Sequence, residues 1–333
     1  MRVPTSASIC PPMTASSDTA GTIVDAKYAL IEQIGVGGMG TVWRGLVYGA
    51  EGFRRTVAIK RLNEAFNDYP EVIQMFVEEA RVSAMLRHPN VVQIHDFGID
   101  DEGHYYLVTE WVEGIHFGDY QRSFQGRQPG VAPWPLVTAI AIEVLRALDA
   151  AHTAGSEEGK LSPVLHRDVS PPNILLDVTG IVKLADFGMA RAMDRGRITQ
   201  PNVVKGKLSY LAPEMLRGED ATVQSDLFSL GVCLWEALAG QRLFDAPTDL
   251  EVLAMLKDPR VPLLSFKRPE LPMGLTTAVH KALERAPGRR FDSALAMLEA
   301  LREVLRVIPE STSGPILGAS IREARARMKA AGE

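Results

Sequence analysis

Hydrophobic positions cluster in short strand-like runs between polar or glycine-rich turns over the first third of the chain. Residues 28–34, 41–48, 56–62, 91–97 and 104–110 are rich in β-branched and aromatic side chains. Gly-rich or polar turns bound most of them, so each predicts a strand. Residues 71–87 break the pattern, with Val72, Met75, Phe76, Val82 and Leu86 recurring at helical spacing. Pro70 suits the first turn of that helix and Pro89 follows its end. From about Phe117 the periodicity turns helical. Residues 136–152 and 222–239 predict strong amphipathic or buried helices, and 276–284 and 291–307 weaker ones. Between them, 173–176 and 181–184 read as a hairpin turning at Thr179-Gly180. A β-rich front and an α-rich back predict a two-lobed α+β molecule without internal repeats.

The ends look different. Residues 1–26, rich in Ser, Thr, Ala and Pro, show no period and read as a disordered leader, with order starting near Lys27. Residues 155–163 read as a surface insertion. The tail, 309–333, starts Ser/Gly-rich and then reads as a basic helix carrying Arg322, Arg325, Arg327 and Lys329. The expectation is a solvated helix; a regulatory or docking tail is the alternative.

Composition narrows the class. The 333 residues suit about two domains or one large two-lobed domain. At 46% hydrophobic and 23% charged, the chain can bury an ordinary core without disulfides. A net charge of −5 argues against nucleic acid as the main partner. With only Cys10 and Cys233, neither a disulfide scaffold nor an all-cysteine zinc site is available, and a reducing cytosol fits. The best apolar run, 227–240, is about 14 residues long and short of a membrane span. The first 25 residues lack the continuous apolar stretch of a signal peptide. The expectation is therefore a cytoplasmic protein with no membrane partner.

The candidate chemistry starts at Gly35-Val36-Gly37-Gly38-Met39-Gly40-Thr41-Val42. A glycine pattern of this kind alone is weak and also marks dinucleotide sites. Those, however, open a helix, whereas Thr41-Val42-Trp43 continues as a strand. Such a strand–turn–strand flap can lower bare backbone N–H groups onto phosphates. Next, the apolar strand Val57-Ala58-Ile59 ends in Lys60. A strand-end lysine is usually a snorkelling surface charge. Here the following helix places Glu79 on its apolar stripe, where a carboxylate needs a cation, and Lys60 is the nearest candidate. Then come His166-Arg167-Asp168-Val169-Ser170-Pro171-Pro172-Asn173, Asp186-Phe187-Gly188 and Ala212-Pro213-Glu214.

In this order, these motifs resemble those of the eukaryotic-like (Hanks-type) protein kinases, particularly the bacterial serine/threonine branch. The resemblance covers about Lys27 to Val307. It implies a kinase domain over 27–308, with an N-lobe at 27–112 and a C-lobe at 113–308. It also implies the cofactors ATP and Mg²⁺ or Mn²⁺. Gly35, Val36, Gly37, Gly38, Met39 and Gly40 would cover the phosphates. Lys60 would hold them and pair with Glu79. Val42, Ala58 and Leu175 would enclose the adenine. Glu110 and Val112 would offer backbone groups to its edge, behind a small gatekeeper, Thr109. Asp168 would orient the substrate hydroxyl and accept its proton, while Asn173 and Asp186 would hold the metal. Glu214 would pair with Arg290, and Asp226 would brace the catalytic loop. The partners implied are protein substrates, the chain itself in autophosphorylation, and a second copy in a homodimer.

Two positions depart from the family. Ser170 stands where serine/threonine kinases usually carry Lys, and Lys207 where they usually carry Thr. A swap is expected, with Lys207 bringing its ammonium toward Asp168 while Ser170 supplies the hydroxyl. The alternative leaves Lys207 in solvent and Ser170 as a loop hydroxyl. Thr199, ahead of Ser209, is the expected phosphate acceptor among Arg191, Arg195, Arg197 and Lys205. Because Lys60, Glu79, Asp168, Asn173 and Asp186 are all filled, the leading reading is an active serine/threonine protein kinase. A nucleotide-binding pseudokinase scaffold and a small-molecule phosphotransferase are the alternatives.

Overall fold

A computed structural model describes residues 18–37, 39–128, 130–154, 163–187, 208–308 and 312–332. The strand-like front folds into a six-stranded antiparallel sheet. It comprises β1 (Ile23–Val24), β2 (Tyr28–Val36), β3 (Gly40–Tyr48), β4 (Arg54–Leu62), β5 (Ile94–Ile99) and β6 (Tyr105–Glu110), ordered β1-β2-β3-β4-β6-β5. Helix α1 (Pro70–Met85) lies between β4 and β5 in the chain. Described residues 18–80 and 93–111 form one compact unit, and 81–92 with everything from 112 onward form another.

Strand parity decides what faces what in the first unit. Trp43, Val57, Ile59, Tyr106 and Val108 share one apolar cluster with Val24, Tyr28 and Leu30. The alternate positions Leu62 and Leu107 pack with Val72, Phe76 and Ala80 of α1. Lys60 pairs with Val42 and Leu107, and Ala58 with Thr109, so these residues share the α1 face.

The expected leader is shorter than its composition suggests. Residues 18–26 are part of the fold, with β1 on β2 and Val24 only 1% exposed. The Asp18 carboxylate bonds the buried Arg61 guanidinium at 3.0 and 3.1 Å, and Tyr106 donates to Asp25 at 2.7 Å. Arg61 faces the apolar cluster, and a buried cation needs a counter-ion. Asp18 and Asp100 supply it. Residues 1–17, with Cys10, and residues 155–162 of the expected insertion lie outside the described residues.

In the second unit the expected hairpin gains a strand. β7 (Gly114–His116), β8 (Ile174–Asp177) and β9 (Val182–Leu184) form a sheet in the order β7-β8-β9. β7 is too short to show an alternation of its own. The helices are α2 (Phe117–Arg122), α3 (Trp134–His152), α4 (Pro213–Leu216), α5 (Val223–Ala239), α6 (Asp249–Lys257), α7 (Leu264–Lys267), α8 (Met273–Ala282), α9 (Ala294–Arg306) and α10 (Gly314–Gly332). The core lies where α3, α5, α8 and α9 meet. α5 is buried on nearly every side, which explains its continuous apolar run. It starts at a Thr222–Ser225 capping box and stops at Gly240, which takes the left-handed φ of 70°.

The tail departs from the expected solvated helix. α10 is helical, but Leu317, Ile321 and Ala324 are buried. Its arginines engage Ser123 after α2, Glu113 before β7 and Val178 in the β8–β9 turn. The basic letters hid an apolar stripe at i, i+4, i+7. Among the described residues, no helix is long and apolar enough to cross a membrane.

Candidate active site

In the first unit, a tight turn links β2 to β3. Gly37 N–H donates to the Gly40 carbonyl at 2.7 Å, and Asn63 N–H donates to the Met39 carbonyl at 2.9 Å. The glycines have different reasons to be glycine. A Cβ on Gly40 would lie 1.8 Å from the Arg61 carbonyl oxygen, so the close approach of β4 excludes any side chain there. A Cβ on Gly35 would meet nothing within 4 Å, and one on Gly37 only the Gly40 carbonyl at 3.7 Å. Neither backbone packing nor a positive φ demands glycine at those two positions. A turn with no side chain at either glycine and open space beside both leaves room for a phosphate to approach the backbone. Val36 is exposed, and Gly38 lies outside the described residues.

Lys60 projects from β4 on the α1 face. Its ammonium donates to Glu79 Oε1 at 2.7 Å and lies 5.9 Å from the Phe76 ring centre. The Glu79 side chain is 2% exposed, in keeping with its place on the apolar stripe. Val42 and Ala58 line the same face, half-buried. At the end of β6, Thr109 donates its hydroxyl to the Glu110 carbonyl. The Glu110 carboxylate accepts from Gln93 N–H at 2.8 Å.

The second unit holds the other residues around one buried carboxylate. Asp226, in the first turn of α5, accepts from the backbone N–H groups of His166 at 2.9 Å and Arg167 at 2.7 Å. It also bonds His152 Nε2 at 2.8 Å. Burial alone would raise this carboxyl, but the His152 bond and charge and the backbone donors outweigh it and hold it below its ordinary value. The loop at 166–168 is therefore hung from a fixed anion. His166 is fully buried, and burial lowers its basicity; its two hydrogen bonds fit the neutral imidazole protonated at Nε2. Nδ1 accepts from Asp168 N–H at 3.2 Å, and Nε2 donates to the Ala185 carbonyl at 2.8 Å. The Phe187 ring packs edge-on against it with 4.5 Å between centres.

These constraints hold two residues in unusual backbone conformations. Arg167 and Asp186 have φ values of 65° and 60°. Each costs a residue with a side chain about 1–3 kcal/mol and persists only where its surroundings over-determine it. Arg167 is tied down by Asp226. Asp186 follows Ala185, whose N–H is held by the Asn173 carbonyl at 2.9 Å.

Asp168 and Asn173 come together directly. Asn173 Nδ2 donates to the Asp168 carbonyl at 2.8 Å and to its carboxylate at 2.9 Å. Both amide hydrogens are thus committed, and the amide oxygen has no protein donor among the described residues. An amide oxygen beside carboxylates is a hard donor set suited to Mg²⁺. Among the described residues, no group of three or more His, Cys, Asp or Glu side chains could hold a metal. The fit is to a cation held by one or two side chains plus phosphate oxygens, the usual situation of Mg²⁺.

Ser170 is 1% exposed, and its hydroxyl donates to the Asp168 carbonyl at 3.4 Å. It is a turn residue packed beneath the loop. Lys207, Thr199, Gly188 and the basic residues Arg191, Arg195, Arg197 and Lys205 lie outside the described residues. Leu175, on β8, is half-buried and pairs with His116 and Lys183. Val112 opens the second unit, just before β7. Lower down, Arg290 makes a bidentate bond to Glu214, 2.7 Å at each oxygen, with Ser225 donating to the same carboxylate.

His152 is the functional position that sequence reasoning passed over. Its signal was present, since it follows the buried Leu145 and Leu148 at helical spacing near the end of α3. A histidine there needs a polar partner, and only the fold reveals it as Asp226.

A family model described as "Protein kinase domain" matches residues 28–296. A tyrosine-protein kinase, MasK of Myxococcus xanthus, is 38% identical over 295 residues, covering 89% of this chain and 45% of that protein. The serine/threonine-protein kinase PknA of Mycobacterium tuberculosis is 36% identical over 297 residues, covering 86% and 63%. The crystal structure of the M. tuberculosis PknI kinase domain matches with a TM-score of 0.65 at 31% identity, over 87% of this chain and all of that one. The chain belongs to the protein kinase domain family, in its bacterial Hanks-type branch. It spans less than two thirds of the length of the curated relatives named here.

Proposed function

We propose that this chain is a protein kinase that transfers the γ-phosphoryl group of ATP, taken with Mg²⁺ or Mn²⁺, to side-chain hydroxyls of proteins. The observation that carries the reading is the Asp168 carboxylate, held by Asn173 in a loop suspended from Asp226. Phosphoryl transfer needs positioning and neutralisation of charge more than covalent chemistry. In this reading Asp168 orients the attacking hydroxyl and takes its proton. Lys60, held by Glu79, binds the α- and β-phosphates, and the backbone at Gly35, Gly37 and Gly40 covers them. Val42, Ala58 and Leu175 enclose the adenine. The backbone of Glu110 and Val112 meets its edge, with Thr109 behind. Asn173 and Asp186 hold the divalent ion, which neutralises charge on the phosphates.

The preferred acceptors are Ser and Thr, as the names of most curated relatives suggest, although one is named a tyrosine kinase. Ser170 bears on this choice. A buried hydroxyl turned onto a backbone carbonyl brings no cation to Asp168, so any cation on the protein-substrate side has another source, for which Lys207 is the candidate.

The test is incubation of the purified chain with Mg²⁺ and labelled ATP beside Asp168→Asn, followed by mapping of modified residues by mass spectrometry. Label in the wild type and at least a hundredfold less in the variant is expected, in line with the roughly 10²–10⁴-fold contribution of a positioned acid–base group. Phosphate on Ser and Thr, Thr199 included, supports the acceptor assignment, whereas phosphate on Tyr alone overturns it. ATP binding without any transfer replaces the reading with a nucleotide-binding scaffold.

A further inference from the structure

α10 is docked by three kinds of contact, all inside the second unit. Leu317, Ile321 and Ala324 form its buried stripe. The Ser320 hydroxyl meets the Tyr120 hydroxyl of α2 at 2.8 Å, and the Arg327 guanidinium lies 4.7 Å from the Phe124 ring centre. Arg322 donates to the Val178 carbonyl, and Arg325 pairs with the Glu113 carboxylate.

The last pair is informative. Val178 N–H donates to the Glu113 carbonyl at 2.8 Å, the bond that closes the end of the β7–β8 ladder. Arg322 and Arg325, one helical turn apart, therefore grip both residues of that one bond from outside. Packing is equally close. A Cβ on Gly318 would lie 2.7 Å from the Val178 carbonyl oxygen, and one on Gly180 would lie 1.9 Å from the Gly314 carbonyl oxygen. Val112 immediately precedes Glu113, and Leu175 lies on β8, three residues before Val178.

We propose that α10 is a positioning element for the nucleotide, clamping the β7–β8 pair so that Leu175 and the Val112 backbone are held in their binding geometry. This rests on the reading that those two groups contact adenine. A docked α10 keeps the binding-competent arrangement populated; an undocked one leaves the ligand to order it, which lowers apparent affinity. No α10 residue is assigned to the transfer step, so affinity and turnover separate.

The experiment is Mg-ATP binding to the full chain by isothermal titration, paired with steady-state KM and kcat and with a melting curve. Gly318→Val forces a branched side chain against the Val178 carbonyl. Ile321→Asp places a carboxylate at a position that is 0% exposed. Both are expected to raise Kd and KM for ATP about tenfold, a typical coupling between linked sites. At saturating ATP, kcat stays within about twofold of wild type, the signature of lost binding rather than lost transition-state stabilisation. Arg325→Glu is expected to raise KM as well, and adding Glu113→Arg to restore it. That pair carries the test if Ile321→Asp does not fold. Wild-type Kd and KM in Gly318→Val and Arg325→Glu, with only the melting temperature lowered, would reduce α10 to a stability element and overturn the proposal. Failure of the wild type itself to bind Mg-ATP would instead overturn the kinase reading beneath it.

Discussion

Among the described residues, the buried Glu79, Arg61, Glu214 and Asp226 meet Lys60, Asp18, Arg290 and His152. Glu214 and Arg290 are nearly sealed from solvent. The guanidinium also donates to the backbone carbonyls of Glu284 and Gln224. Burial alone would push the Glu214 carboxyl up, but the Arg290 hydrogen bonds and charge outweigh it and hold it below 4.5. Such a carboxyl contributes stability that is fully present above its unfolded value and is lost as pH falls through its folded value. Urea denaturation of Glu214→Gln should therefore show a flatter loss of stability below about pH 4.5 than the wild type. Arg290→Met should cost about 3–5 kcal/mol at neutral pH, because it strands a buried carboxylate. A smaller cost in Arg290→Met than in Glu214→Gln would contradict this account.

Single elements show how much of the fold could be read locally. α1 was legible from its apolar spacing, and the same spacing exposed Glu79 as a buried carboxylate in need of Lys60. The strands β2, β3, β4 and β6 were legible from their β-branched and aromatic runs between turns. β7 was not, because three residues carry no period and its only reason to be a strand is its ladder with β8. The glycine turn was legible as a motif but not in its division of labour. Gly40 is glycine because β4 lies against it, whereas Gly35 and Gly37 face space. Gly40→Ala should lower stability by about 1–3 kcal/mol, the range for overpacking. Gly35→Ala and Gly37→Ala should leave the melting curve almost unchanged and weaken ATP binding. Thermal melts beside ATP titrations of the three variants distinguish the two effects. An unchanged ATP affinity in both Gly35→Ala and Gly37→Ala would remove the phosphate-turn role.

At the scale of the whole molecule, a ligand that binds only the folded state stabilises it by mass action, by about 2.7 kcal/mol at a hundredfold excess over Kd. Mg-ATP should therefore raise the melting temperature, and a chelator added with ATP should remove most of that rise. Asp186→Asn should reduce the Mg²⁺-dependent part while keeping the fold, since the Asn173 bonds to Asp168 and the Asp226 bonds to His152, His166 and Arg167 remain. A shift identical with and without Mg²⁺ would count against Asn173 and Asp186 as the metal-holding pair.

The sequence by itself determined the local part of this protein. Side-chain periodicity follows from neighbours a few residues away, so strands and helices were readable from it. The candidate residues Lys60, Asp168, Asn173 and Asp186 travel with short motifs. Tertiary structure alone decided which distant group answers each buried one. Asp18 answers Arg61, Asp226 holds His152 and the loop at 166–168, and α10 grips Glu113 and Val178. The Ser/Thr-rich start and the basic end both read as solvated from composition, yet each supplies what a distant part of the chain lacks. The physical reason is common to all of them. A buried charge or an apolar stripe announces that it needs a partner, but the partner is chosen by the path of the chain in space, which no local spacing records.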